Sequence, residues 1–246
     1  ISLHANGDIQ HNPFDWMAHH NWSVKEGMPS NVAAAVVVDK NRYVWTATKA
    51  GLVRFDGRNF RIFDRSNTPA YINHCTQKLY IDPEGTLWIG SAAGLLYLER
   101  EKIRMVPGTE KLSISSMLTD RSGNLWFGSY NQFLYRLIRK DGKAVLRKYG
   151  KEKGMTDYRV LSLLMTRMGK LWLGSKHQGL FGYDAEKDRF MPEFLPGLKE
   201  IPRIYTMAEA SDGTLWIGIY RKGLLAWYPD GTTRLLTETD GLSDNR

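Results

Sequence analysis

The sequence predicts an all-β fold, a β-propeller of four-stranded antiparallel blades, with about five blades present in this chain. A tryptophan-centred motif recurs five times at steps of 38 to 46 residues. Short runs of β-branched, aromatic and leucine residues, separated by Gly, Pro and Asx turns, fill each step. Repeats of this length built from short strands are typical of propeller blades.

Each motif reads Leu or Val, Trp, any residue, Gly or Ala, and then Ser, Thr or Ile. Its tryptophans are Trp45, Trp88, Trp126, Trp172 and Trp216. Because both faces of a blade are covered in a radial array, we expect all five indoles to fill the core between blades. The motif glycines would permit close approach of neighbouring sheets.

The segments between motifs give the domain organisation. In the second repeat we expect strands at about 79–81, 87–89, 95–98 and 103–106. The pattern disfavours helical repeats, because turn residues leave no stretch of ten residues with a 3.6-residue period. We therefore expect an N-terminal extension at 1–19 and propeller repeats at 20–246, with blades at about 27–66, 67–107, 108–153, 154–196 and 197–240 and the start of a sixth at 241.

Composition limits the class of protein. The 246 residues carry 34 Lys and Arg against 26 Asp and Glu, a net charge of +8, so an anionic ligand has to be considered. The single cysteine, Cys75, excludes an internal disulfide and a multi-cysteine metal site. The longest apolar run, at 32–38, is far below the ~20 residues that cross a bilayer, so membrane attachment is expected only through segments outside this chain.

The ends of the chain suggest a piece of a longer protein. It begins at Ile1 with no basic and apolar leader, so we expect a signal peptide to be absent or removed.

The motif Asp-x-x-Gly-x-Leu-Trp-Ile-Gly-Ser, followed by a short loop and Gly-Leu, resembles the two-component regulator propeller repeat. Residues 20–63 are similar to the opening of such a sensor, and related opening motifs recur at 154–157 and 241–246. The resemblance covers residue 20 to the end. Ala47 departs from it in place of the motif glycine, and the third repeat has Gln132-Phe133 in place of Gly-Leu.

The resemblance implies a periplasmic sensor in a membrane-anchored bacterial receptor, a hybrid histidine kinase or a diguanylate cyclase, whose output domain is not in this sequence. It also implies a larger ring of about seven blades, of which this chain would be a fragment. Open blade edges tend to pair with other chains, so a homodimer could form through the propeller or through these edges.

Enzymatic signatures are mostly absent from the sequence. There is no His-Glu-x-x-His, Gly-x-Ser-x-Gly, phosphate-binding Gly-rich loop or Cys-x-x-Cys. We therefore expect a non-catalytic chain with no catalytic residues, no cofactor and no metal. Carboxylates in the turns, such as Asp82, Glu84 and Asp212, are expected to form turns and to be solvated.

Ligand binding is the expected use of the scaffold. The loops that lead into the first strand of a blade and those that join its second and third strands should share one face. The candidate ligand-binding residues in these loops are Asn31, Lys49, Asn73, Tyr130, Asn131, Tyr158, Arg159, His177, Arg203, Tyr220 and Arg221. Aromatic rings can stack on a sugar, and amides and cations can donate to hydroxyls or carboxylates, so we expect an oligosaccharide or another small polar ligand. For any single residue, ordinary loop polarity explains the pattern equally well.

Two other functions stay open. A propeller enzyme such as a lyase would need an acid–base set over the channel, for which His74, His177 and Tyr158 offer material. A nucleic-acid scaffold would use the basic stretches 136–143 and 147–153. These stretches flank predicted turns and outer strands, where basic residues are usually solvated, so no nucleic-acid partner is expected.

Overall fold

The computed structural model describes residues 2–3, 9–10, 20–71, 76–140, 143–155, 159–198 and 200–245. Five four-stranded antiparallel sheets follow one another along the chain, and each is a meander whose strands pair in chain order. This confirms the predicted all-β class and the four-stranded blades. We number the sheets as blades 1 to 5 and their strands from first to fourth.

The strand bounds follow the turn residues closely. Blade 1 has strands Ala33–Val38, Val44–Thr48, Gly51–Phe55 and Phe60–Phe63, and blade 2 has Thr76–Ile81, Leu87–Ser91, Gly94–Glu99 and Lys102–Met105. Blade 3 has Ile114–Thr119, Leu125–Ser129, Leu134–Lys140 and Lys143–Tyr149, blade 4 has Val160–Met165, Leu171–Ser175, Leu180–Asp184 and Arg189–Glu193, and blade 5 has Ile204–Glu209, Leu215–Ile219, Gly223–Trp227 and Thr233–Leu236. A two-stranded ribbon, Ser2–Leu3 with Ile9–Gln10, and three short 3-10 helices, Val24–Glu26, Lys151–Lys153 and Glu238–Asp240, complete the described elements.

The first strands lie innermost. Each contacts the first strand of the next blade, from blade 1 through to blade 5. A cavity of about 220 Å³ is lined by the first strands of blades 2 to 5. This cavity marks the axis around which the blades are arranged.

The motif tryptophans fill the junctions between blades. Trp45, Trp88, Trp126 and Trp172 are between 1% and 4% exposed. Each belongs to a hydrophobic cluster made with the following blade, as Trp126 does with residues of blade 4 such as Leu173. Burial of an indole on this scale stabilises each junction by about 2–3 kcal/mol.

The fifth tryptophan departs from the expectation. Trp216 is only partly buried, because no further blade follows blade 5 among the described residues. At the other end, Val36 and Val38 on the first strand of blade 1 are 57% and 59% exposed. Val37 between them packs toward blade 2, so Val36 and Val38 point to the opposite face. One face of each terminal blade is therefore uncovered.

The motif glycines are required by close approach of the first strands. A Cβ on Gly128 would lie 2.5 Å from the Val160 side chain of the next blade, and a Cβ on Gly174 would lie 2.5 Å from Ile204. Real Cβ atoms are not found so close to another atom, so only glycine fits. Blade 1 has Ala47 in place of the motif glycine.

A carboxylate six residues before the tryptophan holds the indole in three blades. Asp39, Asp82 and Asp120 accept hydrogen bonds from the Nε1 atoms of Trp45, Trp88 and Trp126, each at 2.8 Å. We call this contact the Asp–Trp latch. Blades 4 and 5 lack it, because Thr166 and Ala210 occupy the corresponding positions.

The expectation that Asp82 is solvated is therefore wrong. Asp82 is 3% exposed, and the Nη2 atom of Arg139 in blade 3 lies 2.7 Å from its Oδ2 atom. Burial alone would raise the pKa of Asp82, but the hydrogen bonds from Trp88 and Arg139 lower it below its ordinary value. The other two turn carboxylates, Glu84 and Asp212, are exposed as expected.

A second carboxylate joins blades 3 and 4. Asp188 accepts hydrogen bonds from the Tyr149 hydroxyl at 2.6 Å, the Tyr183 hydroxyl at 2.7 Å and the Lys153 Nζ at 2.7 Å, and Arg147 lies 3.2 Å away. Burial acts to raise the pKa of Asp188, but these donors outweigh it and hold the pKa well below its ordinary value. The ionised form is thus strongly preferred in the folded state.

The Trp126→Ala variant should lower the free energy of unfolding by about 3–5 kcal/mol, because it leaves a cavity between two blades. The Trp216→Ala variant should lower it by much less, since this indole is already partly in water. Urea unfolding followed by circular dichroism would measure both. Equal losses would contradict the assignment of Trp126 to a covered junction and Trp216 to an open face.

The Asp188→Asn variant should be destabilised at neutral pH. A carboxyl whose pKa is lowered by folding stabilises the fold above its unfolded pKa of about 3.9, and this stabilisation is lost as the pH falls. The difference in unfolding free energy between the natural protein and the variant should therefore narrow below about pH 4. Glu186→Gln, an exposed change in the same turn, is the matched control. A difference that does not vary with pH would contradict the ionised network.

Candidate functional site

The two sets of loops expected to share one face do so. Tyr130 N donates to Ser113 O at 2.8 Å, Lys176 N to Arg159 O at 3.1 Å, and Tyr220 N to Arg203 O at 3.0 Å. In each case the loop after the second strand is bonded to the loop leading into the first strand. We call this side of blades 3 to 5 the loop face.

Four residues of blade 5 form an aromatic and cationic group on the loop face, which we call the blade 5 cluster: Arg203, Tyr205, Tyr220 and Arg221. The rings of Tyr205 and Tyr220 stack with centroids 5.3 Å apart and planes inclined by 26°. The guanidinium carbons of Arg203 and Arg221 lie 5.5 and 5.1 Å from the centre of the Tyr220 ring. Both arginines are exposed, and Tyr205 is 49% exposed, so the cluster is open to solvent.

Tyr205 was missed by the sequence analysis. It lies in a β-bulge, where the pairing of the first and second strands shifts between Ile204 and Thr206. A bulge redirects the side chain of the extra residue, and here it places an aromatic ring beside the loops. The regular alternation of side-chain direction along a strand does not predict this position of the Tyr205 ring.

Tyr130 of blade 3 faces the same region. It is 39% exposed, and its pKa is raised by partial burial and further by the nearby Tyr205 hydroxyl. Two candidate residues from different blades, Tyr130 and Tyr220, thus both lie near Tyr205. Arg159 of blade 4, between these blades, is half-buried.

The two described candidate asparagines hold the backbone of their loops. The first is Asn31, whose Oδ1 accepts a hydrogen bond from Val24 N at 2.8 Å. Asn245, its equivalent in the motif that recurs at 241–246, accepts from Glu238 N in the same way at 2.8 Å. The second is Asn131. Asn131 Oδ1 accepts from Ser113 N at 3.0 Å, and its Nδ2 donates to Lys111 O at 2.9 Å. In the third repeat, Asn131 thereby supports the turn that lacks the usual Gly-Leu pair.

The remaining candidates are dispersed. Lys49 is exposed in the turn of blade 1, and His177 is exposed in the turn of blade 4 that is closed by Ser175 N and Gly179 O. Asn73 and Tyr158 lie outside the described residues, as does His74. The structure therefore brings together Tyr130, Arg203, Tyr220 and Arg221, with the addition of Tyr205.

The basic stretches of blade 3 are engaged within the fold. Arg136 pairs with Asp120 at 3.0 Å and Arg139 with Asp82 at 2.7 Å, while Arg147 and Lys153 both pair with Asp188. Arg136 and Arg139 also lie over the rings of motif tryptophans. Arg139, Arg147 and Lys153 therefore join neighbouring blades, while Arg136 acts within blade 3.

Neither a metal centre nor a membrane span emerges from the described part of the chain. No three His, Cys, Asp or Glu side chains within it are grouped so that they could hold a metal ion. None of its helices has the length and apolar character needed to cross a membrane.

Comparison with solved structures shows the fold. The chain is similar to the extracellular domain of a hybrid two-component system from B. thetaiotaomicron, with 21% identity and a TM-score of 0.73 over 87% of this chain and 31% of that one. A second extracellular domain from B. thetaiotaomicron, of a one-component system, is 19% identical with a TM-score of 0.69 over 83% of this chain and 27% of that one. Virginiamycin B lyase from Staphylococcus aureus is 14% identical with a TM-score of 0.62 over 83% of this chain and 69% of that one.

The chain spans less than a third of the length of the two extracellular domains. No curated protein matches it. Residues 110–131 and 199–221 match the family described as two component regulator propeller, and both segments contain loop-face residues. The chain is thus a β-propeller segment, two stretches of which match the two-component regulator propeller family.

Proposed function

We propose that this chain is part of a non-catalytic, ligand-sensing propeller in a membrane-anchored bacterial signalling receptor, and that it lies in the periplasm. The matching repeat family and the similar extracellular domains of two-component systems support this proposal. The membrane anchor and the output domain, a histidine kinase or a diguanylate cyclase, belong to segments outside this chain.

The ligand is an oligosaccharide or another small polyhydroxylated molecule bound on the loop face. The observation that carries this step is the blade 5 cluster, in which the exposed ring of Tyr205 stacks on Tyr220 and two exposed arginines lie beside the Tyr220 ring. An exposed aromatic face can stack on the apolar face of a sugar ring, and guanidinium groups donate to hydroxyls and carboxylates. Tyr130 adds a ring from a second blade.

Signalling follows from differential affinity. A ligand shifts a receptor between two arrangements only if it binds one of them more tightly. The uncovered faces of blades 1 and 5, marked by Val36, Val38 and Trp216, offer apolar surface through which two copies can associate as a homodimer. Ligand bound beside the blade 5 face would then bias that association.

A lyase acting on a small molecule is the second candidate, supported by the similarity to virginiamycin B lyase over 69% of that enzyme. It depends on His177, the one described member of the acid–base set considered above. Turnover of virginiamycin B by this chain, lost in His177→Ala, would favour the enzyme over the sensor.

The loop-face site can be tested by calorimetric titration of the chain with carbohydrates selected on a glycan array. Tyr220→Ala should weaken binding about tenfold or more, since it removes the central ring of the cluster, and Arg203→Ala should weaken it several-fold. Each loss converts to about 1–2 kcal/mol of binding free energy.

Two matched controls lie at the opposite end of the blades. Tyr228→Ala changes a tyrosine in the turn between the third and fourth strands of blade 5, and Arg58→Ala changes an exposed arginine in the same turn of blade 1. Both should leave affinity unchanged. If Tyr220→Ala and Arg203→Ala bind as tightly as the natural chain, the ligand site lies elsewhere.

A further inference from the structure

The arginines of the blade 5 cluster differ from the other arginines that contact aromatic rings. Four other arginines lie with the guanidinium carbon 4.5 to 5.6 Å from a ring centre in the described part of the chain. Each of them also has a carboxylate partner at 2.7 to 3.0 Å: Arg54 and Arg61 share Glu101, Arg136 pairs with Asp120, and Arg139 pairs with Asp82. A ring, a guanidinium and a carboxylate thus form one group that recurs in blades 1 to 3.

The blade 5 cluster has the ring and the guanidinium groups of this arrangement but not the carboxylate. Arg203 and Arg221 form no ion pair within the described residues, and both are exposed. Glu200, on the loop that leads into blade 5, pairs instead with the Nζ atom of Lys222 at 2.9 Å. Two cations therefore lie beside the Tyr220 ring with no protein carboxylate to balance them.

The positions of the two guanidinium groups indicate which kind of group would complete the cluster. Their carbons lie 5.5 and 5.1 Å from the centre of the same ring. Like charges repel each other, and an anion placed beside them offsets this repulsion. Guanidinium groups bind oxyanions through paired N–H donors, more strongly than they bind neutral hydroxyls. The cluster is therefore complementary to an oxyanion.

We propose that the ligand of the loop face is an acidic saccharide, whose carboxylate or sulfate group binds Arg203 and Arg221 while a sugar ring contacts Tyr205 or Tyr220. This inference rests on the proposed function, because it takes the loop face as a saccharide site. Tyr205 is 49% exposed and stacks on Tyr220, so it offers aromatic surface to a sugar beside the two cations. The net charge of +8 favours association with an anionic ligand.

Pairs of saccharides that differ only in charge test the proposal. The chain is titrated by calorimetry with oligosaccharides of galacturonate, of glucuronate and of sulfated galactose, each beside its uncharged methyl ester or desulfated form. At least one acidic saccharide should bind about tenfold or more tightly than its uncharged counterpart. This ratio of affinities should shrink as sodium chloride is raised, because salt screens exposed charges. A preference for uronates alone assigns the group as a carboxylate, and a preference for the sulfated saccharide alone assigns it as a sulfate.

Two variants test the arginines. Arg203→Gln and Arg221→Gln should each reduce the ratio of acidic to uncharged affinity several-fold, because each removes a cation and keeps a polar side chain. Arg58→Gln, an exposed change in a turn at the opposite end of blade 1, is the matched control and should leave the ratio unchanged. The proposal is overturned if no acidic saccharide binds more tightly than its uncharged counterpart, or if both cluster variants leave the ratio unchanged.

The Tyr220→Ala variant distinguishes a failure of this inference from a failure of the proposed function. If an acidic saccharide and its uncharged counterpart bind equally and both are weakened by Tyr220→Ala, the loop face is the site and only the acidic class is wrong. If an acidic saccharide is preferred but its affinity depends on none of Tyr220, Arg203 and Arg221, the ligand site lies elsewhere and both proposals fail. Dependence of the preferred acidic saccharide on all three residues supports both.

Discussion

The packing of one indole between each pair of adjacent sheets is the interaction on which the rest of the molecule depends. A four-stranded sheet cannot bury either face alone, so each blade is stable only against its neighbours. Trp126 fills the wedge at the outer part of a junction, and the missing side chain of Gly128 lets the first strands meet at its inner part. The inner contact sets the width of the channel, and the channel edge in turn positions the loops that carry the blade 5 cluster.

Much of this architecture was predictable because it repeats. The motif spacing and turn residues predicted the blades, and in the second repeat the expected strands fall within the observed ones except at the last residue, Val106. The burial of Asp82 was not predictable, since a carboxylate six residues before a tryptophan resembles any turn residue until the hairpin closes and brings it to the indole. Tyr205 was missed for a related reason, because a one-residue bulge reverses the direction of a side chain without changing the sequence pattern.

The loops illustrate the same limit. Polar type and position were sufficient to predict that Tyr130, Arg203, Tyr220 and Arg221 share one face, but could not separate them from Asn31 and Asn131, whose amides are used by the backbone. Which polar residue is free for a ligand depends on local hydrogen bonding, and that is decided only by the folded loop.

The uneven distribution of the Asp–Trp latch has a consequence for dynamics. In blades 1 to 3 a carboxylate holds the indole to its own hairpin, whereas the indoles of blades 4 and 5, Trp172 and Trp216, lack this contact. Elements with fewer buried polar ties open locally at lower free energy, so amide exchange should be fastest in the last sheet. That sheet also bears the stacked tyrosines, so ligand binding at this site should be detected first as slower amide exchange in blade 5.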